Sequence, residues 1–531
     1  MYHQENNIAI YGSHNGGIAF RDHNTYRVIE IERFISKKNC GLTQYLLCRN
    51  SFYILEKLLD YINKEFNKNL MFDNLIYSNT DVIYGNDHVK FEDLISAKNK
   101  HFCLHHRAHA AGTFYQSPFN EAIIISYDGG GSDGFFNIFY GNRENSVTNI
   151  KNVNIDLGFA YMSFGHFINE IKFESELSIG NLVYSGKLMG LCGYGKVRKG
   201  WKKYFKNYYL SKPDGLNYIE KLNNFIGSKI GVVFNIDNRL VGDIALDIAA
   251  TSQQVFEEIF LEIITPILES DEYKHLPICL TGGCALNVVC NTRVKDIFQR
   301  PLFVAPNSND SGLALGMLLD YEKPRYQVDV TYGGLPILDP YSLYELIENK
   351  WSEVYSHEKM AEILNNGNIV GLIQGNCEHG PRALGNRSIL CNPAIPNMKD
   401  ILNQKVKRRE WFRPFAPVVR LEDANKYFEF DGESRFMSYY ANVREEYKEQ
   451  LVSITHVDGT ARLQTVTKDQ NSFIYDLLTE FEKLSGIGVL LNTSFNINGK
   501  PLINSYKDGL WMLENTGLDI LSTDKFIIYK Q

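Results

Sequence analysis

The chain's nine cysteines contain no Cys-x-x-Cys pair. Neither a zinc ribbon nor a paired-thiol redox motif is therefore written into it. An odd, unpatterned set of cysteines reads as reduced thiols in a cytoplasmic protein, not as a disulfide framework. No apolar run reaches the ~18 residues that a membrane span needs. The polar start passes straight into Ile8-Ala9-Ile10-Tyr11-Gly12 with no signal-peptide core before it. A basic excess is missing too: 55 Lys and Arg stand against 62 Asp and Glu, a net charge of −7. That balance argues against a protein built to coat polymeric nucleic acid, while leaving room for a nucleotide pocket. Internal repeats and low-complexity segments are absent as well, although the N-terminal half has room for two similar halves of diverged sequence.

Proline is sparse, and three prolines gather with two glycines in one aperiodic stretch, Glu322–Pro340. This is the expected boundary between two domains, 1–335 and 336–531, and 531 residues are enough for two or more cores. Short apolar runs alternate with amphipathic ones throughout, which predicts α/β layers. Strands are expected at Asn7–Tyr11, Ala122–Tyr127, Ile278–Leu280, Asn368–Ile373 and Ile487–Leu491, several of them leading into glycine-rich polar turns.

The densest chemistry lies at Lys407-Arg408-Arg409-Glu410-Trp411-Phe412-Arg413-Pro414-Phe415-Ala416-Pro417, where four cations are interleaved with three aromatic rings. A solvated charge run has no use for Trp and Phe, so these cations are expected on a partly buried floor. A second basic turn, Glu378-His379-Gly380-Pro381-Arg382-Ala383-Leu384-Gly385-Asn386-Arg387-Ser388, precedes it. Arginine forks match phosphate and carboxylate in a bidentate way, so Arg382, Arg387, Arg408 and Arg413 point to one small, highly charged anion. Structural salt bridging is the competing reading of the same residues.

The N-terminal half has a different chemistry. His105 and His109 stand four apart, on one face of a helix. The pair is either a core or capping pair or half of a metal site in want of an oxygen ligand. Asp310, in the tight turn Pro306–Gly312, supplies such an oxygen. Tyr127-Asp128-Gly129-Gly130-Gly131-Ser132-Asp133-Gly134 resembles a phosphate-cradling turn, with Asp128 able to hold a metal or its water. Thr281-Gly282-Gly283-Cys284-Ala285-Leu286-Asn287 is a second strand-to-helix glycine turn, suited to a nucleotide phosphate at a helix N-terminus.

These motifs, in this order, resemble the O-carbamoyltransferases, the family of the nodulation-factor, cephamycin and tobramycin carbamoyltransferases. The collinear likeness runs from about residue 7 to 510. It includes Gly186-Lys187-Leu188-Met189-Gly190-Leu191, His456-Val457-Asp458-Gly459-Thr460-Ala461-Arg462 and Leu491-Asn492-Thr493-Ser494-Phe495-Asn496. The resemblance implies a Kae1-like N-terminal domain of the actin/Hsp70 class, two ribonuclease-H-like lobes binding ATP, followed by a YrdC-like α/β domain. It implies ATP-dependent activation of carbamoyl phosphate through carbamoyladenylate, then transfer of the carbamoyl group to an alcohol.

On that resemblance, Lys405, Arg408, Arg413, Arg382 and Arg387 would neutralise charge during adenylation, with Asn492 and Ser494 positioning oxygens. Gly129, Gly130, Lys187, Gly282, Gly283 and Asn287 would serve the nucleotide, with Mg2+. His105, His109 and Asp310 would hold a divalent metal, iron first, with zinc or manganese tolerated by the same ligands. His14 and Asp128 are both candidates for the base that deprotonates the acceptor hydroxyl.

The sequence departs from the family at His14-Asn15, where His-Asp is usual. It departs again at Ser185, where an acid is common, and at Cys192-Gly193 in place of Ala-Pro. The implied acceptor is a small alcohol: a sugar, an antibiotic-like metabolite or a hydroxymethylated pyrimidine nucleotide. Its contacts are expected within Asn137–Phe173. The oligomeric state is left open, a homodimer included. Threonylcarbamoyl-tRNA enzymes, sugar kinases and a non-enzymatic binding module are the competing readings.

Overall fold

A computed structural model of the chain describes residues 5–43, 48–84, 87–171 and 182–530. It divides into two compact units. The first reaches to Val330 but leaves out Arg33–Lys38, which pack with the second unit, Thr331 onward. The division falls five residues before the expected boundary at 335, and the excursion of Arg33–Lys38 has no signature in composition.

The first unit contains two five-stranded sheets of one design. In the first, β1 (Asn7–Tyr11), β2 (Gly17–Asp22), β3 (Thr25–Glu30), β4 (Phe72–Ser78) and β5 (Ala97–Phe102) lie in the order β3-β2-β1-β4-β5. The second has β6 (Glu121–Gly131), β7 (Gly134–Asn142), β8 (Ser146–Val153), β9 (Ile278–Thr281) and β10 (Leu302–Val304) in the order β8-β7-β6-β9-β10. In both sheets the first three strands are antiparallel and the last two join in parallel. The two halves that diverged sequence conceals are therefore present, and the repeat is that of a two-lobed, ribonuclease-H-like fold. Both β1 and β9 are buried at every position, as expected of strands covered on both faces.

Helix α1 (His105–Gln116) leads into the second sheet, and α2 (Val288–Phe298) and α3 (Leu313–Glu322) follow its last strands. Small residues let α1 and α3 approach closely. A Cβ on Gly316 would lie 2.0 Å from the carbonyl of Ala108, and one on Gly112 would lie 3.1 Å from the Cα of Gly316. Ala108, Ala110, Ala111, Phe114, Leu315 and Leu318 fill the core around that crossing. This contact sets the start of α1 opposite the turn that opens α3.

The second unit is a mixed α/β body around a ten-stranded sheet. At its centre are β11 (Val370–Ile373), β12 (Arg387–Cys391), β13 (Ala416–Arg420), β14 (Thr460–Val466) and β15 (Val489–Ser494), ordered β11-β12-β15-β13-β14. Helices His357–Asn365 and Ser472–Ser485 cover one face through Met360, Leu364, Leu477, Leu478 and Phe481. No described helix is long and apolar enough to cross a membrane.

Candidate active site

In the first unit, His105, His109, Asp128 and Asp310 bring four ligand atoms within 4.8 Å of one another. His109 Nε2 lies 3.1 Å from Asp128 Oδ2 and 3.4 Å from Asp310 Oδ1. His105 Nε2 lies 3.8 Å from both carboxylates, and the two imidazole Nε2 atoms are 3.2 Å apart. Ligands about 2.0–2.2 Å from a tetrahedral ion sit roughly 3.3–3.6 Å from one another, so this set has the spacing of a metal site. Two imidazole nitrogens facing each other gain little as a pair and much around a shared cation. Asp128, expected as a base or a loose metal contact, stands here as a fourth equal member.

Local sequence explains the geometry. The first turn of α1 is capped from the glycine turn: His105 N donates to Ser132 Oγ, and His106 N and Arg107 N donate to the two oxygens of Asp133. A Cβ on Gly131 would strike the His105 ring at 2.5 Å, so only glycine lets that ring lie against the turn. Gly282 has φ +89°, and a Cβ there would meet the Tyr127 carbonyl at 2.2 Å. With glycine in place, Gly283 N donates to Asp128 Oδ2 (2.8 Å), and Gly129 N donates to Asp128 Oδ1 (2.6 Å). Tyr11 hydroxyl donates to Asp310 Oδ2 at 2.8 Å, and His14 Nε2 lies 3.5 Å from the same oxygen.

The charges within the cluster are mutually dependent. Burial opposes ionisation of Asp128, but hydrogen bonds from His105 and His109 overrule it and hold the carboxyl well below its usual range. Burial likewise works against the charge on Asp310, and His14 and His105 prevail over it. Burial disfavours a charged His109, yet Asp128 and Asp310 raise it to about 9. The site thus attracts positive charge, whether proton or metal ion. His106 behaves oppositely. It is buried between Ser126 Oγ (2.8 Å) and the Gly134 carbonyl (3.0 Å), and burial followed by its histidine neighbours pushes it down to about 4. It is a neutral structural histidine.

Other expected residues have local duties. Asn287 caps α2 by accepting from Cys290 N and is paired with Gln253. Lys187 is buried in helix Tyr184–Cys192, and its ammonium donates to the Ile171 carbonyl at 3.4 Å. Gly130, at φ +129°, occupies backbone space that suits glycine alone. Asn15 stands where the family has an acid, in a turn that runs left-handed, φ +53°, a conformation Asn tolerates well. Of the stretch expected to touch the acceptor, Lys172 and Phe173 lie outside the described residues.

In the second unit the cations that lie buried or half-buried together are a different choice from the set the sequence suggests. Arg408 has φ +50° and ends the preceding helical turn. That reversal turns Lys407 and Arg409 inward and leaves Arg408 exposed, donating to the Asn515 carbonyl. Lys405 is exposed as well. Both lie outside the buried set of cations, and at Arg408 the left-handed backbone is the cause.

Lys407 is buried instead. Its ammonium reaches Ser494 Oγ (3.0 Å), the Ser494 carbonyl (2.5 Å), the Asn496 carbonyl (2.7 Å) and Asn496 Oδ1 (2.6 Å). Arg409 lies over the Phe415 ring at 4.4 Å, and its Nε donates to Asn403 Oδ1. Arg387 is a third departure from expectation: fully buried, its guanidinium is spent on the carbonyls of Gln374, Gly375 and Asn386 and on Asn504 Oδ1. Its two terminal nitrogens thus hold a loop together, while its buried Nε makes no hydrogen bond. Asn492 is buried too, donating to the Ala383 carbonyl and Gln464 Oε1.

Arg382, Arg409, Arg413 and Arg462 are each half-buried. Burial is the chief cause lowering all four. Arg413 then acts on Arg382, and Arg413 with Arg462 on Arg409, while Arg382 with Arg413 acts on Arg462. Arg382 comes down to about 10. Lys407 is depressed as well, first by burial and then by Arg409, Arg413 and Lys38. The nearest described carboxylate is Glu410, 3.5 Å from Arg413. Cations depressed by one another mark a place where an anion lowers the energy. Arg462, on β14, was visible in the sequence only as the last residue of the His456–Arg462 motif.

The choice of lysine is open to direct test. Lys407→Ala should bring carbamoyl transfer to background, since it strips four acceptors of a charged donor. Lys405→Ala should stay within about twofold of the parent, as exposed surface changes do. Steady-state rates of the two variants side by side decide the assignment.

Comparison with known proteins identifies this combination. A family model described as carbamoyltransferase N-terminus matches residues 14–319, and one described as carbamoyltransferase C-terminus matches residues 361–530. The nodulation protein NolO of Bradyrhizobium diazoefficiens is 32% identical over 453 residues, covering 80% of this chain and 79% of its own. The 3'-hydroxymethylcephem-O-carbamoyltransferase of Streptomyces clavuligerus is 40% identical over 242 residues, 44% of each chain. Among solved structures, HypF of T. kodakarensis shares 11% identity at a TM-score of 0.36, covering 61% of this chain and 49% of its own. The chain belongs to the O-carbamoyltransferase family. It is an enzyme that transfers a carbamoyl group.

Proposed function

We propose that the enzyme activates carbamoyl phosphate with ATP to form carbamoyladenylate, and then transfers the carbamoyl group to a hydroxyl of a small acceptor. The observation that carries this reading is the cluster of Arg382, Lys407, Arg409, Arg413 and Arg462 with Glu410 as its one nearby described carboxylate. A single phosphate would not require so many cations. A carbamoyl phosphate beside the phosphates of ATP would, because the charge they share must be held while bonds are exchanged.

In the first half-reaction water cleaves carbamoyl phosphate to carbamate and phosphate, and a carbamate oxygen then attacks the α-phosphorus of ATP, expelling pyrophosphate. Arg382, Arg409, Arg413 and Arg462 orient and neutralise the phosphoryl oxygens, and Lys407 holds Ser494 and Asn496 in place beside them. In the second, the acceptor oxygen attacks the carbamoyl carbon and AMP departs. His105, His109, Asp128 and Asp310 would hold a divalent metal, which supplies polarisation of a phosphate or carbonyl oxygen when bound. Iron, zinc and manganese all suit two imidazoles and two carboxylates. His14, half-exposed beside Asp310, is the protein's available proton acceptor for the acceptor hydroxyl, because Asp128 is committed to the cluster.

A threonylcarbamoyl-tRNA type of enzyme remains the alternative, and the net charge of −7 disfavours a tRNA partner. The deciding experiment is incubation with ATP and carbamoyl phosphate while following pyrophosphate. Release dependent on both substrates is expected, and release with ATP and threonine-derived carbamate alone would overturn the reading. Mass spectrometry against a panel of sugars, aminoglycosides and hydroxymethylpyrimidine nucleotides should then show one alcohol gaining a single carbamoyl group.

A further inference from the structure

The turn that carries Arg382 is pinned twice. From within, the fully buried carboxylate of Glu378 accepts from three backbone amides on one oxygen: Leu384 N (2.7 Å), Asn386 N (2.8 Å) and Arg387 N (3.1 Å). The second pin comes from elsewhere in the chain. Arg33, in the short segment Arg33–Lys38 that packs with the second unit, is buried, and its guanidinium donates to the carbonyls of Glu378 and Gly380. Its Nη1 also lies 2.9 Å from Cys377 Sγ. Gly380 has φ +112°, so the gripped carbonyl belongs to a residue whose backbone conformation only glycine adopts with ease. Two residues further on stands Arg382.

We propose that Arg33 is a positioning residue of the anion site, fixing the Cys377–Gly380 turn so that Arg382 is held toward Arg413 and Arg462. Arg33 touches no reacting atom. Its two-pronged grip on the carbonyls of Glu378 and Gly380 needs the planar fork of a guanidinium, and a lysine at the same place reaches one of them at a time. Arg382 sits among like charges, with Arg413 lowering it and Arg382 in turn lowering Arg462. Released from the grip, the turn would relax away from those charges, and the site would lose a cation without losing its fold. This inference rests on the anion-site reading above, and the test separates the two.

Inorganic phosphate and carbamoyl phosphate are the probes, titrated calorimetrically into the full-length protein and its Arg33→Lys and Arg33→Gln variants. For both variants the dissociation constant of phosphate should rise at least tenfold, and the KM for carbamoyl phosphate should rise in step. The rate at saturating carbamoyl phosphate should fall less than threefold, and metal content should match the parent. Methylguanidinium added to Arg33→Gln should restore part of the phosphate affinity. If the parent fails to bind phosphate, the anion-site reading itself is wrong. If the parent binds and Arg33→Lys binds equally well, Arg33 is a packing residue and the proposal falls. Should Arg33→Gln fail to fold, the KM-against-kcat split in Arg33→Lys alone decides the matter.

Discussion

Arg413→Ala should stop formation of carbamoyladenylate while sparing transfer from presynthesised carbamoyladenylate. Arg413 is the cation that the others share. It lowers Arg382, Lys407, Arg409 and Arg462, and only Glu410 tempers it. Removing it takes a charge-assisted, fork-shaped donor from a doubly charged ligand, a loss of roughly 2–4 kcal/mol. That corresponds to about a 30- to 1,000-fold fall in the first half-reaction. Pyrophosphate release and single-turnover decay of added adenylate measure the halves separately. An equal fall in both would show that the cation cluster and the histidine cluster do not divide the chemistry as proposed.

Loss of metal should have the next largest effect. His109→Ala removes the nitrogen with the shortest approaches to both carboxylates, 3.1 Å and 3.4 Å. It leaves Asp128 and Asp310 facing each other with one imidazole between them. Elemental analysis should find about one iron, zinc or manganese per parent chain and at most a tenth of that in the variant, given the ten- to hundredfold losses typical at metal sites. Transfer to the acceptor should fall with the metal. Inorganic phosphate should still bind the second unit with unchanged affinity. A His109→Ala protein with full metal content would make the histidines structural, as His106 already is.

Much of this was legible in residue order, and the remainder fails for identifiable reasons. The buried strands Asn7–Tyr11 and Ile278–Thr281 show as apolar runs because both faces are covered. The metal set was readable as far as His105, His109 and Asp310, since helical spacing and an isolated acid in a turn are local patterns. Asp128 was noticed but not given its place, because its partnership with His109 depends on Gly282 and Gly283 delivering a backbone amide from 155 residues away.

At the cation cluster the sequence does not choose between neighbouring residues. Lys405, Lys407, Arg408 and Arg409 are alternatives on paper, and the left-handed backbone at Arg408 decides which face inward. Nothing in composition marks Arg408 for that conformation, since arginine rarely adopts it. Arg387 misleads for another reason. A fully buried arginine with every nearby carbonyl engaged looks, in sequence, like any other arginine beside glycine. Arg33 was invisible because its partners lie about 345 residues further along the chain.

The matched strand orders of the two sheets carry a historical consequence. Both copies of the motif present a tyrosine on the central strand, Tyr11 as the last residue of β1 and Tyr127 within β6. Only the second copy places an acid next, Asp128, where the first has Gly12. Asp128 and Asp310 arise from the second copy and its flanking turn, His105 and His109 from the helix α1 between the two sheets, and the first copy contributes Tyr11 and His14 as attendants of Asp310. A duplicated scaffold thus carries the two carboxylates of the cluster in one repeat only. Equivalent positions in the two repeats should tolerate very different substitutions: Gly12 is fixed by a backbone oxygen 2.6 Å from where its Cβ would stand, whereas Asp128 is fixed by chemistry. Selection after such a duplication would preserve shape in one repeat and reactivity in the other.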